Sequence, residues 1–335
     1  MPQDYPLLFA LDGSQTYASR VAHRLGCELS NLEERNFEDG EHKTRPLEQV
    51  SGRQAIVFQA LYADAEQSVN DKLCRLLFFC AALKDAGARR VQVIAPYLCY
   101  ARKERRTKVQ DPIISRYVAS LLETCGVDHL LALEVHNVAA FDNAFRIPTR
   151  HLDSAELFAT YFAGLNLNSE IVAVSPDSGG TKRAELFRCA LARRIGRPVG
   201  SAYMEKFRSN DVVSGALLVG DVEDKTVIIF DDLISTGETL LRAGEACQAA
   251  GAKRIFAAAT HGLFCGGAPL LDSSLFERIV ISDSVPPWRL DPLLVAQRLQ
   301  ILDSSAHVAA LLAREFGFAN LEQHTHAPEL STWRA

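Results

Sequence analysis

Three absences in the 335-residue chain exclude whole classes of protein. No uninterrupted apolar segment approaches the ~18 residues needed to span a bilayer as a helix, so a membrane-spanning helix is not expected. The N-terminal Met-Pro-Gln-Asp-Tyr lacks a basic region followed by an apolar run, which argues against a secretory signal. The eight cysteines (Cys27, Cys74, Cys80, Cys99, Cys125, Cys189, Cys247 and Cys265) contain no Cys-x-x-Cys pair and no zinc-like spacing. They fit small apolar residues in a reducing compartment, so a cytoplasmic location is expected.

Strong basic character is also missing. The net charge of -5 argues against nucleic acid as the main partner and leaves room only for a local basic pocket. Low-complexity stretches are absent, and the length exceeds what one core usually organises, so two domains are expected.

Apolar runs recur along the chain at Leu7–Leu11, Ala55–Gln59, Val91–Ala95, His129–Leu133, Ile171–Val174, Val227–Phe230, Ile255–Ala259 and Arg278–Ile281. Helical spacing fills the gaps: Asn70–Ala86 stops at Gly87, and a helix from near Thr239 runs to Ala250 with Gly251 as its stop. This alternation predicts an α/β fold with mostly parallel sheets flanked by helices. Pro148 interrupts the pattern across Arg146–Asp153, which sets an expected boundary near residue 150. The domains are then 1–150 and 151–303, with an amphipathic closing helix near 304–316 packing on the first and a tail at 317–335. His324 and His326 in that tail fit a metal pair or a polar terminus.

Val227–Phe230 runs into Asp231, Asp232, Leu233, Ile234, Ser235, Thr236, Gly237, Glu238 and Thr239. A buried strand, two carboxylates, a glycine turn and a helix start together suit a sugar phosphate. Hydroxyls and amides of Ser235 to Thr239 can face the phosphate, and the acids can accept from sugar hydroxyls. The same residues also suit an acidic turn and a capped helix with no ligand. Lys206 and Arg208, two apart in an apparent loop, fit a solvated basic pair or a charge-stabilising one. His136 follows a strand, where it can face a ligand or be a satisfied core histidine.

The loop is similar to the phosphoribosyl diphosphate loop of type I phosphoribosyltransferases. Eight further landmarks in order narrow the resemblance to the ribose-phosphate pyrophosphokinase family: residues 36–41 (Asn-Phe-Glu-Asp-Gly-Glu), 70–73, 96–102, 134–136 (Glu-Val-His), 175–180 (Ser-Pro-Asp-Ser-Gly-Gly), 206–208 (Lys-Phe-Arg), 219–222 and 260–262. The resemblance implies two related phosphoribosyltransferase-like domains, ATP and ribose 5-phosphate as substrates, Mg2+ as cofactor and a homo-oligomer. Diphosphoryl transfer to the C1 hydroxyl is the implied reaction. It implies Lys206 and Arg208 as catalytic groups, with Arg208 also at the ribose phosphate. Phe37, Asp39, Gly40, Glu41, Arg102, Lys103 and His136 are implied at ATP, and Asp231, Asp232, Ser235, Thr236, Gly237, Glu238 and Thr239 at ribose 5-phosphate. His136 and Asp177 are implied at the metal. Departures from the commonest pattern are Lys103 for glutamine, Glu134 for aspartate, Ser51 for arginine, Ser235 for aspartate and Glu238 for glycine. A nucleobase phosphoribosyltransferase and a non-catalytic synthetase-like subunit are the competing readings.

Overall fold

Each apolar run becomes a strand because its side chains are covered on both sheet faces, which parallel sheets require. The computed structural model describes residues 5–209, 212–267 and 269–318, without the side chains of 206–216. In chain order the first set of elements is β1 (Leu7–Ala10), α1 (Gln15–Arg24), β2 (Leu32–Asn36), β3 (His42–Pro46), β4 (Gln54–Phe58), α2 (Val69–Asp85), β5 (Arg90–Ala95), α3 (Ile114–Thr124), β6 (His129–Leu133), α4 (Val138–Ala144) and β7 (Thr149–Leu152). The second set is α5 (Ala155–Gly164), β8 (Ile171–Ser175), α6 (Thr181–Ile195), β9 (Gly200–Ser209), β10 (Val212–Val219), β11 (Thr226–Ile234), α7 (Glu238–Ala249), β12 (Arg254–Gly262), α8 (Pro269–Asp272), β13 (Arg278–Ser282), α9 (Pro292–Arg298), β14 (Leu299–Leu302) and α10 (Ser305–Phe316).

Two units result. One contains Met1–Ala132, Asn137–Arg150 and Asp303–Ala335; the other contains Leu133–His136 and His151–Leu302. The first holds a five-stranded sheet in the order β1-β4-β5-β6-β7, with β2 and β3 as a separate hairpin. The second holds a seven-stranded sheet in the order β10-β9-β8-β11-β12-β13-β14, antiparallel only at the β10 edge. The stretch β8-β11-β12-β13-β14 repeats the order β1-β4-β5-β6-β7. In both units an antiparallel pair is inserted between the first and second parallel strands. The expected α/β fold with two related sheets is therefore present.

The helix closing each repeat belongs to the opposite unit. Helix α5 follows β7 but packs on α6, while α10 follows β14 and packs on α1. Tyr17 Oη lies 3.0 Å from Ser304 Oγ, and Arg24 Nη2 donates to Asp303 Oδ2 at 2.8 Å. The segment around Pro148, expected to break the pattern, instead contains the short strand β7. Pro148 precedes that strand, where a missing N–H breaks no ladder bond, and its carbonyl accepts from Leu130 N at 3.2 Å.

The second unit anchors β11 from below. Phe230 stacks on Phe187 at 4.7 Å and meets Phe158 edge-on at 5.1 Å, with Phe162 and Phe256 extending the cluster. Rings buried in this way hold the strand that carries the next two residues, Asp231 and Asp232. In the first unit, fully buried Leu312 ties α10 to the core. Leu312→Ala should destabilise that unit by about 2–5 kcal/mol, read as a lower denaturant midpoint.

Candidate active site

Strand β11 does not end at Phe230. Its parallel ladder with β12 continues through Asp231↔Ala259, Leu233↔His261 and Ile234↔Gly262. The acidic pair thus lies within the strand rather than after it, because β12 extends equally far and keeps supplying partners. Beyond Ile234 the chain is held by main-chain bonds: Leu263 N to Ile234 O at 2.9 Å and Cys265 N to Ser235 O at 2.8 Å. Gly237 has φ +87°, and a Cβ there would sit 3.0 Å from Leu270 Cβ. Only glycine takes this turn without strain.

Helix α7 starts at Glu238, one residue before the expected Thr239, and no side chain caps it. Its first-turn amides point forward from a positive helix end, which suits an anion. The loop also sits where the chain order reverses between β8 and β11, the usual ligand crevice of such sheets. The matching loop of the first unit is closed. There Asp64 Oδ1 accepts from Gln67 N at 2.8 Å and Glu66 N at 3.0 Å, and Ser68 and Asp71 form a capping box on α2. Buried Lys72 pairs with Asp64 as well. A carboxylate already fills the position where an anion would bind.

Arg183, on α6, gathers the acids of the second unit. Its Nε donates to Glu134 Oε1 at 3.0 Å, and Nη1 lies 3.2 Å from Asp232 Oδ1 and 3.5 Å from Asp231 Oδ1. Its Nη2 donates to the carbonyl of His136 at 3.1 Å. His136 Nδ1 in turn lies 2.8 Å from Asp232 Oδ2. Burial pushes the Asp231 carboxyl up, and the neighbouring Asp232 charge pushes the same way. Burial also opposes ionisation of Asp232, but the hydrogen bond from His136 and the Arg183 charge prevail and hold it below the usual range. Both Asp232 oxygens thus face internal partners, and Asp231 is the more exposed acid of the two.

A buried polar network lies beside this cluster. Glu134 has φ +40°, and its Oε2 accepts from Ser154 N at 3.0 Å and Ser154 Oγ at 2.8 Å. Because Ser154 gives its proton to the carboxylate, Thr260 must donate across their 2.6 Å contact. His261 Nε2 lies 3.0 Å from the Glu134 carbonyl, so it carries the proton there, and Nδ1 accepts from Ser284 Oγ at 2.8 Å. Burial moves the His261 pKa down.

Other expected residues fall as follows. Asp177 follows β8 and caps the turn at 178–180, its Oδ1 accepting from Gly180 N at 3.0 Å. Asn36–Glu41 is the tip of the β2–β3 hairpin: Phe37 N donates to Glu41 O at 2.8 Å, Gly40 takes φ +90° and Asp39 Oδ1 accepts from Glu41 N. Phe37 stays 39% exposed with the Arg35 guanidinium over its ring, so a face is offered for stacking. Arg102 and Lys103 start an exposed basic loop that Asp111 ties down through the amides of Thr107 and Lys108. Lys206 and Arg208 lie in strand β9, opposite Ala216 and Val213, rather than in a loop. Antiparallel pairing with β10 holds that segment in the sheet, and both side chains lie outside the described residues. The tail histidines, at 324 and 326, do too. Arg183, Ser154 and His261 are additions that no local pattern marked, although Thr-His-Gly at 260–262 had stood out.

An open helix start behind an acidic strand end, on a sheet with this reversal, is the arrangement of a phosphoribosyltransferase-type fold. Residues 7–126 match the N-terminal domain of ribose phosphate pyrophosphokinase, and 210–318 match the phosphoribosyl synthetase-associated domain. Ribose-phosphate pyrophosphokinase 1 of Streptococcus pneumoniae is 35% identical over 280 residues, 83% of this chain and 84% of that protein. The Fusobacterium nucleatum ribose-phosphate pyrophosphokinase is 36% identical over 281 residues, 83% and 85% of the two chains. The crystal structure of phosphoribosylpyrophosphate synthetase from Mycobacterium smegmatis has a TM-score of 0.81 at 29% identity, covering 93% of this chain and 98% of that one. The chain belongs to the ribose-phosphate pyrophosphokinase family.

Two outcomes are expected from this geometry. His261 is held below its unfolded pKa of about 6.5, so its contribution to stability is complete above that pH and is lost as pH falls further. Melting temperature should therefore drop on the acid side, and His261→Asn, which cannot take up the proton, should flatten the slope. Gly237→Ala should lower the melting temperature, because the turn must distort by about 1–3 kcal/mol to accept a Cβ at φ +87°; a thermal scan reads this.

Proposed function

We propose that this protein transfers the diphosphoryl group of Mg-ATP to the C1 hydroxyl of ribose 5-phosphate, giving phosphoribosyl diphosphate and AMP. The observation carrying the proposal is the uncapped loop at 235–239 next to the buried acidic pair, in a chain of this family. The loop amides and the hydroxyls of Ser235, Thr236 and Thr239 bind the 5-phosphate. Asp231 accepts from the ribose hydroxyls, with Asp232 locked behind it by His136 and Arg183. Phe37 stacks on adenine, Asp39, Gly40 and Glu41 border the nucleotide, and Arg102 and Lys103 contact its phosphates.

The C1 oxygen attacks the β-phosphorus in line as the bond to AMP breaks. Negative charge grows on the phosphate oxygens in that step, and the positive charges of Lys206 and Arg208 offset it. Asp177 supplies the kind of hard oxygen ligand that magnesium prefers, and its carboxylate sits in the turn that follows β8. Magnesium keeps several waters and takes phosphate oxygens as ligands, so one or two protein groups suffice to hold it. When bound, Mg2+ would be held by Asp177 and His136 and would draw charge from the phosphates. Among the described residues no helix is long and apolar enough to cross a membrane. A cytoplasmic homo-oligomer acting on these small molecules, with neither nucleic acid nor membrane as partner, completes the proposal.

Incubation with ATP, Mg2+ and ribose 5-phosphate should yield AMP and phosphoribosyl diphosphate. ADP in place of AMP, or no product, would refute the reaction. Lys206→Ala should lower kcat by about 100-fold or more while the melting temperature holds, because the lost group acts on transition-state charge. Asp231→Asn should raise the KM for ribose 5-phosphate more than that for ATP. Phe37→Ala should do the reverse, with a loss of roughly 1 kcal/mol in ATP binding.

A further inference from the structure

Arg183 occupies a position that local preference disfavours. It is the third residue of α6, in the first turn, where the helix dipole opposes a cation. Its side chain is only 12% exposed, and a guanidinium removed from water requires close compensation. That compensation comes from separate segments: Glu134 and the His136 carbonyl beyond β6, and Asp231 and Asp232 on β11.

We propose that Arg183 is a positioning residue for ribose 5-phosphate. It leaves the sugar untouched but fixes, through one planar fork, the acceptors and the histidine that surround it. The guanidinium spans both aspartates from one side, and without it nothing in the cluster would hold the two side chains in one orientation. The bond from Nη2 to the His136 carbonyl places the histidine against Asp232, so the acidic pair and the 134–136 turn move as one piece. Lysine, with a single compact ammonium, cannot reach these four acceptors at once. The inference rests on the ribose 5-phosphate reading of the loop.

The test combines calorimetric binding of ribose 5-phosphate, without nucleotide, and initial rates with each substrate varied. Arg183→Met should weaken ribose 5-phosphate binding and raise its KM by about tenfold or more, with the KM for ATP within about twofold of the unmodified protein. Arg183→Lys should recover part of the loss. Guanidinium ion added to Arg183→Ala should restore binding where ammonium does not, a response that a general packing defect would not give. Unchanged binding in Arg183→Met, or equal losses for both substrates that guanidinium fails to repair, would overturn the proposal. Because binding is read without turnover, a protein that binds ribose 5-phosphate but forms no AMP would refute the diphosphokinase reaction while the Arg183 comparison still stands.

Discussion

Two neighbouring carboxylates placed in a mostly dry strand end set the terms for everything around them. Asp231 and Asp232 repel each other, and burial penalises both charges. The fold meets this demand with one guanidinium and one imidazole, which sets the positions of α6 and the 134–136 turn. Glu134 accepts a left-handed backbone for the same reason: its carboxylate must reach Arg183 and Ser154 together. Strain of this kind persists where surrounding contacts over-determine it.

Below the charged layer the same strand is held by apolar packing. Phe230 lies among Phe158 and Phe187, so a shift of the acidic pair would disturb a close-packed aromatic cluster. The network through Ser154, Thr260, His261 and Ser284 satisfies its buried polar atoms with fixed donor and acceptor roles. Rigidity beneath and openness above are complementary: the loop at 235–239 keeps its helix amides available, whereas the first unit closes the matching position with Asp64 and a capping box. Sheets of the same strand order thus differ in whether a carboxylate of the chain occupies the anion position.

Much of the fold was legible because burial on both faces of a parallel sheet demands continuous apolar runs. All eight runs are strands, and the helices at 69–85 and 238–249 follow their spacing and glycine stops. Strands without an unbroken apolar run were not legible. β9 carries Glu205, Lys206 and Arg208, Ser214 and Gly215 interrupt the apolar run of β10, and β7 follows a proline, so each owes its structure to a neighbouring strand rather than to its own pattern. The reach of β11 past Phe230 has the same origin, since two aspartates are poor strand formers until β12 pairs with them.

The sequence by itself determined the α/β class, the glycine turn before α7 and the family, because those depend on short-range features: apolar runs, a glycine that permits φ +87°, and fixed motifs in a fixed order. Only the tertiary structure decided which groups neutralise the acids. Arg183 lies 48 residues from Asp231 along the chain, and His136 lies 96 from Asp232. Local patterning carries no trace of such pairings, since a basic residue in a helix's first turn looks solvent-exposed until a β-strand brings its partners beside it. The exchange of α5 and α10 between units has the same character: each amphipathic face specifies burial, and only packing chooses the surface that buries it.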